Sequence, residues 1–407
     1  MGKFALIGEK LGHSFSPQIH SMLSDYEYTL KELAPDELES FLKTTELDGM
    51  NVTIPYKKAV LPYCAHVDEA VGRIGSANTL VKRKDGWYAY NTDYCGFIYM
   101  LTSCGYSPKG KKAVVLGNGG ASVAVVTALE DMGAAEIVVI SRKAENNYGN
   151  LHLHADADVV VNATPVGMYP KTGVAAVSLD AFPKCRAVFD LIYNPSRTKL
   201  ILDAEARGLI CSSGLSMLVA QAHAAAEYFT GSSIDKGRIE DILHTLERET
   251  GNIILIGMPG CGKSSVGEAL AALTGRSLVD ADEEFCRTYG ISAGDMIRSQ
   301  GEEAFRQGET KVLSALAARS GLIIATGGGC VTREENYPLL HQNGFIFYLK
   351  RSVEKLPTKD RPLSQQKSPA ALYEARKALY EGFADYVIDN DSGSVEDTAH
   401  AIMEIMK

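Results

Sequence analysis

Two glycine-rich turns hold the residue types and spacings with the most specific chemistry in this chain. Gly257-Met258-Pro259-Gly260-Cys261-Gly262-Lys263-Ser264 follows an apolar run and fits the pattern G-x-x-x-x-G-K-S. Backbone amides in such a loop cradle a β-phosphate, a lysine at this position reaches the β- and γ-phosphates, and the serine after it is a ligand for Mg²⁺. Gly257, Gly260, Cys261, Gly262, Lys263, Ser264 and Ser265 are therefore the predicted contacts to ATP, with Ser264 on the metal. The other turn, Gly117-Asn118-Gly119-Gly120-Ala121-Ser122, stands between a β-rich run and an apolar segment of helix length, and a second β-rich run follows. That order describes a dinucleotide site, in which glycines let the backbone approach a pyrophosphate at a helix N-terminus. About 20 residues further on, an NAD site carries Asp or Glu for the ribose 2′-hydroxyl. Here Ser141 and Arg142 occupy that place. A guanidinium fork suits a 2′-phosphate, so NADP(H) is the predicted dinucleotide; the competing reading makes Arg142 a plain surface charge.

The elements that must hold these turns are legible as β-rich runs at residues 3–8, 112–117, 136–141, 158–164, 187–193, 252–257, 322–327 and 345–350, alternating with helix-length segments. This alternation predicts an α/β chain with mostly parallel sheets. Residues 237–252 read as one helix ending at Gly251, which puts a domain boundary near Thr250 and a second domain over 250–407. A length of 407 residues excludes a single small module, and 45% hydrophobic with 22% charged residues excludes a disordered chain. The net charge of −9 leaves no field to draw in nucleic acid, and no basic recognition helix is present, so anionic ligands must be met by local sites. The eight cysteines are scattered without zinc-type spacing and read as reduced thiols. The longest uncharged stretch, residues 113–129, is broken by Gly117, Asn118, Gly119, Gly120 and Ser122, so no membrane span is predicted and a cytoplasmic address is expected.

Eight ordered segments, LIGEKLGHSFSPQIH, NVTIPYKK, GSANTL, NTDYCGF, GNGGAS, NATPVGM, DLIYNP and GLSMLVAQA, make the first 248 residues resemble shikimate dehydrogenase. The resemblance implies a substrate lobe of residues 1–98 with 215–248, a Rossmann NADP lobe over 99–214, and reduction of 3-dehydroshikimate by NADPH. It makes Lys57 and Asp93 the catalytic pair. It assigns Ser14, Ser16 and Tyr193 to the substrate carboxylate and Thr53, Asn78 and Gln221 to the ring hydroxyls. One departure concerns residues 142–157, where the family has a longer helix; a stunted helix or loop is expected. His13 and His20 read as packing or capping residues. The pair His152/His154 has the spacing of a metal site but reads more simply as a surface loop.

From the second glycine turn onward, LVDADEEF, EEAFRQGE, ATGGGC, DRPL and ARKALYEGFADYVI resemble shikimate kinase. By that resemblance Asp280 helps hold Mg²⁺, and Asp282 binds the ring hydroxyls and is the candidate base. Arg306 and Arg376 pair with the substrate carboxylate. Gly327, Gly328 and Gly329 let the backbone approach substrate and γ-phosphate, and Arg361 closes over ATP from a short lid. Glu309 either orients Arg306 or forms an ordinary helical pair with it. Together the halves imply a bifunctional enzyme that makes shikimate and then phosphorylates it. The competing readings are a quinate/shikimate dehydrogenase joined to another small-molecule kinase, and a non-catalytic sensor of these intermediates.

Overall fold

The computed structural model describes residues 2–12, 14–356, 368–391 and 393–406. Its contacts divide the chain into two compact units, Met1–Met168 with Val174–His244, and Tyr169–Gly173 with Thr245–Lys407. The division falls inside the helix Gly237–Thr250 rather than at its end near Thr250. The reason is local: Arg238 near the start of the helix donates to the Met22 carbonyl, whereas at its end Arg276 donates to the carbonyls of Arg248 and Gly251.

The first unit contains two sheets. One has strands β1 (Lys3–Gly8), β2 (Glu27–Glu32), β3 (Gly49–Val52), β4 (Cys64–Val67), β5 (Thr79–Arg83) and β6 (Gly86–Tyr90), in the order β2-β1-β3-β5-β6-β4. This sheet is mixed, not parallel throughout: β5 runs antiparallel to both β3 and β6. A two-residue connection, Lys84-Asp85, joins β5 to β6 and reverses the chain. The other sheet has strands β7 (Lys112–Leu116), β8 (Glu136–Ile140), β9 (Val159–Asn162), β10 (Ala187–Asp190) and β11 (Ile210–Ser213), in the order β11-β10-β9-β7-β8 and parallel throughout.

The parallel sheet explains why its strands are continuous apolar runs. Along β7, Ala113 and Val115 enter one core while Val114 and Leu116 enter the other. Side chains alternate with a period of two, and helices cover both faces, so the strand interiors are apolar and polar residues such as Asn162 and Asp190 stand at strand ends. The second unit repeats this logic with β12 (Asn252–Ile256), β13 (Leu278–Asp280), β14 (Ile323–Ala325), β15 (Gly344–Lys350) and β16 (Tyr386–Asp389), parallel in the order β13-β14-β12-β15-β16. Ile253, Ile254, Leu255 and Ile256 at its centre are all buried. Among the described residues no helix is long and apolar enough to cross a membrane.

Leu80 on β5 is fully buried in the same core as Trp87, the sole tryptophan. Leu80→Ala should lower unfolding stability by about 2–5 kcal/mol. Urea titration followed by Trp87 fluorescence reads this directly, and an unchanged midpoint would contradict the packing described.

Candidate active sites

In the first unit, a cavity of about 290 Å³ opens where β1 and β3 end and β5 begins, near the helices Thr92–Ser103 and Gly214–Thr230. It is lined by Ser14, Ser16, Thr53, Lys57, Asn78, Asp93, Tyr193 and Gln221, so residues scattered over some two hundred positions of sequence share one wall. Lys57 Nζ donates to Asp93 Oδ2 at 2.6 Å, with 24% and 15% of the two side chains exposed. Asp93 lies in the first turn of its helix, where the amide dipoles favour a carboxylate.

Asn78 organises this corner. Its Nδ2 donates to Asp93 Oδ1 at 3.0 Å, and its Oδ1 accepts the Thr92 amide at 2.7 Å. Asn78 thus caps the helix that carries Asp93, a task the N-cap residue Asn91 does not perform with its own side chain. The Thr92 hydroxyl is within hydrogen-bonding reach of Asn78 Oδ1 and Gln221 Oε1, extending the network to the helix Gly214–Thr230. Ser14 Oγ donates to Ser16 Oγ at 3.1 Å. Sequence reasoning passed over Asn51, which also lines the cavity and joins the Tyr28 hydroxyl at 2.7 Å to Thr79 Oγ1 at 3.1 Å. Its signal was available, since Asn51 opens the run that contains Thr53 and Lys57. His20 is buried and stacked on Tyr28, with Nδ1 2.6 Å from the Tyr26 hydroxyl; burial pushes its pKa down to about 3, so it is a neutral packing residue. His13 lies outside the described residues.

Asp190 ends β10 and ties down the loop that presents Tyr193. It accepts from Thr198 Oγ1 at 2.6 Å, Asn162 Nδ2 at 3.0 Å and the Ile192 amide at 3.1 Å. Burial nevertheless pushes its carboxyl up to about 6.

The dinucleotide turn follows β7. Gly117 has φ of +101°, and a Cβ there would lie 2.9 Å from Thr164 Cγ2 and 3.0 Å from the Ala163 carbonyl oxygen, so only glycine fits. The helix Gly120–Asp131 begins with Gly119 as N-cap and no side-chain cap, which leaves its first amides open to a phosphate. Of this turn only Ala121 lines the cavity; Gly117, Asn118, Gly119 and Gly120 lie outside its lining, as do Ser141 and Arg142. Ser141 is buried and Arg142 exposed. The shortened crossover contains a 3₁₀ turn, Leu151–His154, in place of a helix. Asparagine side chains fold it on itself: Asn150 Oδ1 accepts the Asn147 amide, Asn147 Oδ1 accepts the Gly149 amide, and Asn146 Oδ1 meets His154 Nε2 at 3.1 Å. His154 is therefore a buried structural residue, and among the described residues no cluster of His, Cys, Asp or Glu is arranged to hold a metal.

In the second unit a cavity of about 630 Å³ surrounds the loop after β12. Gly260, Gly262, Lys263, Ser264, Ser265, Asp280, Asp282, Arg306, Glu309, Gly327, Gly328, Gly329 and Arg376 all line it. Lys263 Nζ donates to the carbonyls of Gly257 at 2.9 Å and Met258 at 3.1 Å. Ser264 Oγ donates to Asp280 Oδ2 at 3.0 Å, while Asp280 Oδ1 caps the helix Ala281–Tyr289 by accepting the Asp282 amide at 2.9 Å. Gly257 and Cys261 stand outside the lining, and the Cys261 side chain is fully buried. Arg361 lies outside the described residues.

Arg306 Nη1 donates to Glu309 Oε2 at 2.7 Å and Nη2 to Glu302 Oε1 at 3.3 Å. Burial pulls the Arg306 pKa down, but the Glu309 and Glu302 carboxylates hold it above its usual value. Gly329 packs on this group: a Cβ there would lie 2.3 Å from the guanidinium nitrogens. Arg376 Nη1 donates to the Gly328 carbonyl at 3.0 Å, as does the Tyr380 hydroxyl, so two side chains of the helix Pro369–Phe383 shape the glycine run. Arg351 and Thr326 also line the cavity and were not singled out from sequence.

Fold and sites therefore define a two-lobed dinucleotide-dependent enzyme followed by a P-loop phosphotransferase. Residues 6–80 match the family model "Shikimate dehydrogenase substrate binding domain", and residues 259–407 match "Shikimate kinase". A shikimate dehydrogenase (NADP⁺) of Clostridium perfringens is 37% identical over 268 residues, covering 61% of this chain and 99% of the relative. Among solved structures, a chorismate mutase/shikimate 5-dehydrogenase fusion protein from Clostridium acetobutylicum superposes with a TM-score of 0.58 at 36% identity, covering 60% of this chain and 97% of that one. Shikimate 5-dehydrogenase from Thermus thermophilus in complex with NADP(H) and shikimate gives 0.56 at 30% identity, covering 60% and 99%. The chain belongs to the shikimate dehydrogenase family and carries a shikimate kinase domain after it, which makes it a bifunctional enzyme of the shikimate pathway.

Asp190 gives a pH prediction. Its folded pKa, raised from 3.8 to about 6, means that its unfavourable burial is absent below the unfolded value and grows as pH rises toward the folded one. Wild-type stability should therefore fall relative to Asp190→Asn between about pH 4 and 6, by about 3 kcal/mol in all. Chemical denaturation of both proteins across that window checks it; a difference that is flat or rises with pH contradicts it.

Proposed function

We propose that the first unit reduces 3-dehydroshikimate to shikimate with NADPH, and that the P-loop domain then phosphorylates the shikimate 3-hydroxyl with Mg-ATP. The reading is carried by the Lys57–Asp93 pair, held at 2.6 Å on a wall of hydroxyl and amide groups suited to a polyhydroxylated ring acid. In this reading residues 1–98 with 215–248 form the substrate lobe, residues 99–214 the NADP lobe and residues 250–407 the kinase.

NADPH, when bound, supplies hydride to the ring ketone. The Lys57 ammonium then gives a proton to the developing alkoxide, and Asp93 keeps that ammonium in place while accepting from a ring hydroxyl. Asn78, Thr53 and Gln221 take the remaining hydroxyls. Ser14, Ser16 and Tyr193 meet the carboxylate. Gly117, Asn118, Gly119, Gly120 and Ala121 receive the pyrophosphate, and exposed Arg142 with Ser141 meets the 2′-phosphate.

In the kinase, Ser264 Oγ and Asp280 Oδ2 form a small all-oxygen pair, the donor type that Mg²⁺ takes together with substrate phosphates. Mg-ATP supplies the phosphoryl group. Lys263 exchanges its two carbonyl partners for phosphate oxygens, Asp282 accepts the hydroxyl proton, and Arg306, oriented by Glu309, joins Arg376 on the carboxylate. Free thiols at all eight cysteines fit the cytoplasmic address proposed for it.

Supplied with 3-dehydroshikimate, NADPH and Mg-ATP, the purified chain should form shikimate 3-phosphate, detected by mass spectrometry. Accumulated shikimate would sink the kinase half of the reading, and untouched substrate the reductase half. Lys57→Ala should lower reductase turnover about 10²–10⁴-fold and spare phosphorylation of added shikimate. Lys263→Ala should do the reverse, with a loss of about 10²-fold or more.

A further inference from the structure

Arg351 is the first residue after β15, and the structure fixes the backbone on both sides of it. The Lys350 carbonyl accepts the Asn390 amide at 2.9 Å, and the Ser352 amide donates to Asp391 Oδ1 at 2.9 Å. The Ser352 hydroxyl donates to the same carboxylate. Asn390 in turn donates from Nδ2 to the Cys261 carbonyl and accepts from Thr398 Oγ1, which fastens this segment to the P-loop itself. Arg351 is thereby carried into the 630 Å³ cavity on the Gly262 side of the loop. A Cβ on Gly262 would lie 3.9 Å from Arg351 Nη1 and 3.0 Å from Asn390 Nδ2.

The guanidinium is incompletely satisfied there. Its Nε is buried with no hydrogen-bond partner among the described residues, and no described carboxylate pairs with it. A buried N–H without a partner calls for a hydrogen-bond acceptor, and the fixed positive charge of the guanidinium favours an anionic one. The surroundings already suit one: the helix Lys263–Thr274 begins beside it at Gly262, with no side-chain cap over its first amides. Sequence adds a second point. Between β15 and the helix Pro369–Phe383 the chain has only one other arginine, Arg361.

We infer that Arg351 is a nucleotide-binding residue that donates its guanidinium fork to the polyphosphate on the Gly262 flank of the loop. It acts from a fixed scaffold at the end of β15, in addition to the loop's own Lys263. The inference rests on the reading of this domain as an ATP-dependent kinase.

Calorimetric titration of Mg-ADP, AMP and adenosine into the full chain and into R351Q tests it. Loss of a bidentate charge-assisted contact should weaken Mg-ADP binding about tenfold and leave adenosine binding unchanged. Wild-type adenosine affinity certifies that the P-loop unit itself is intact, and reductase kcat/KM of the same protein, which Arg351 does not touch, should also be that of wild type. Wild-type affinity for Mg-ADP in R351Q overturns the assignment, and so does an equal loss for ADP and adenosine, which would mean a contact to the base. If R351Q fails to fold, protection of Arg351 from phenylglyoxal by Mg-ADP in the wild-type chain, mapped by peptide mass, reads the same contact; no protection overturns it. A wild-type chain that binds no Mg-ADP overturns the kinase reading itself, and the assignment with it.

Discussion

The first turn of an α-helix leaves its amide hydrogens without internal partners, and both candidate nucleotide sites of this enzyme depend on that fact. After β7 and again after β12, a glycine turn delivers the chain into a helix whose N-cap, Gly119 or Gly262, offers no side-chain oxygen to those amides. A serine or aspartate at either cap would satisfy the helix locally and close the site to phosphate. The parallel sheets supply the rigidity that such an unsatisfied end requires. Their central strands are buried on both faces, so the ends from which the turns spring cannot shift without disturbing the core.

Elsewhere the same need for an external cap is met by the protein itself. Asn78 occupies the N-terminal end of the helix Thr92–Ser103 and in doing so grips Asp93, so one side chain both starts a helix and sets the Lys57–Asp93 geometry. Asp280 behaves likewise in the kinase, capping the helix Ala281–Tyr289 with one oxygen and holding Ser264 with the other. Buried charges follow a third pattern. Arg306 is tolerated in its buried place because two carboxylates of its own helix compensate its charge, and its position then leaves room only for glycine at 329.

Strands of the two parallel sheets were more legible in the sequence than those of the mixed sheet, where the buried β3, β5 and β6 were passed over. Central parallel strands such as β7, β9, β12 and β15 announce themselves as unbroken Val, Ile, Leu and Phe because both faces are covered. The edge strands β2, β4, β11, β13 and β16 passed unread, since one side of each lacks a neighbour and their side chains are largely polar or exposed. The mixed order of the first sheet was equally hidden. Residues 142–157 were legible only as too short; their asparagine-bonded turns and the buried His154 depend on contacts that no periodicity signals.

The candidate chemistry of the chain was legible in residue order, because backbone phosphate cradles need particular residue types at particular short spacings. Lys263 and Ser264 were visible in that way, whereas Lys57, Asp93 and Arg306 were assigned through the resemblance of the motifs around them. Tertiary structure decided what has no short-range spacing: that Asn78 grips Asp93 across 15 positions, that Asn51 joins the substrate wall, and that Arg351 comes to the P-loop from the end of another strand. The physical reason is that each of these side chains finds its partner across strand pairings or core contacts, and those exist only after the hydrophobic faces have closed.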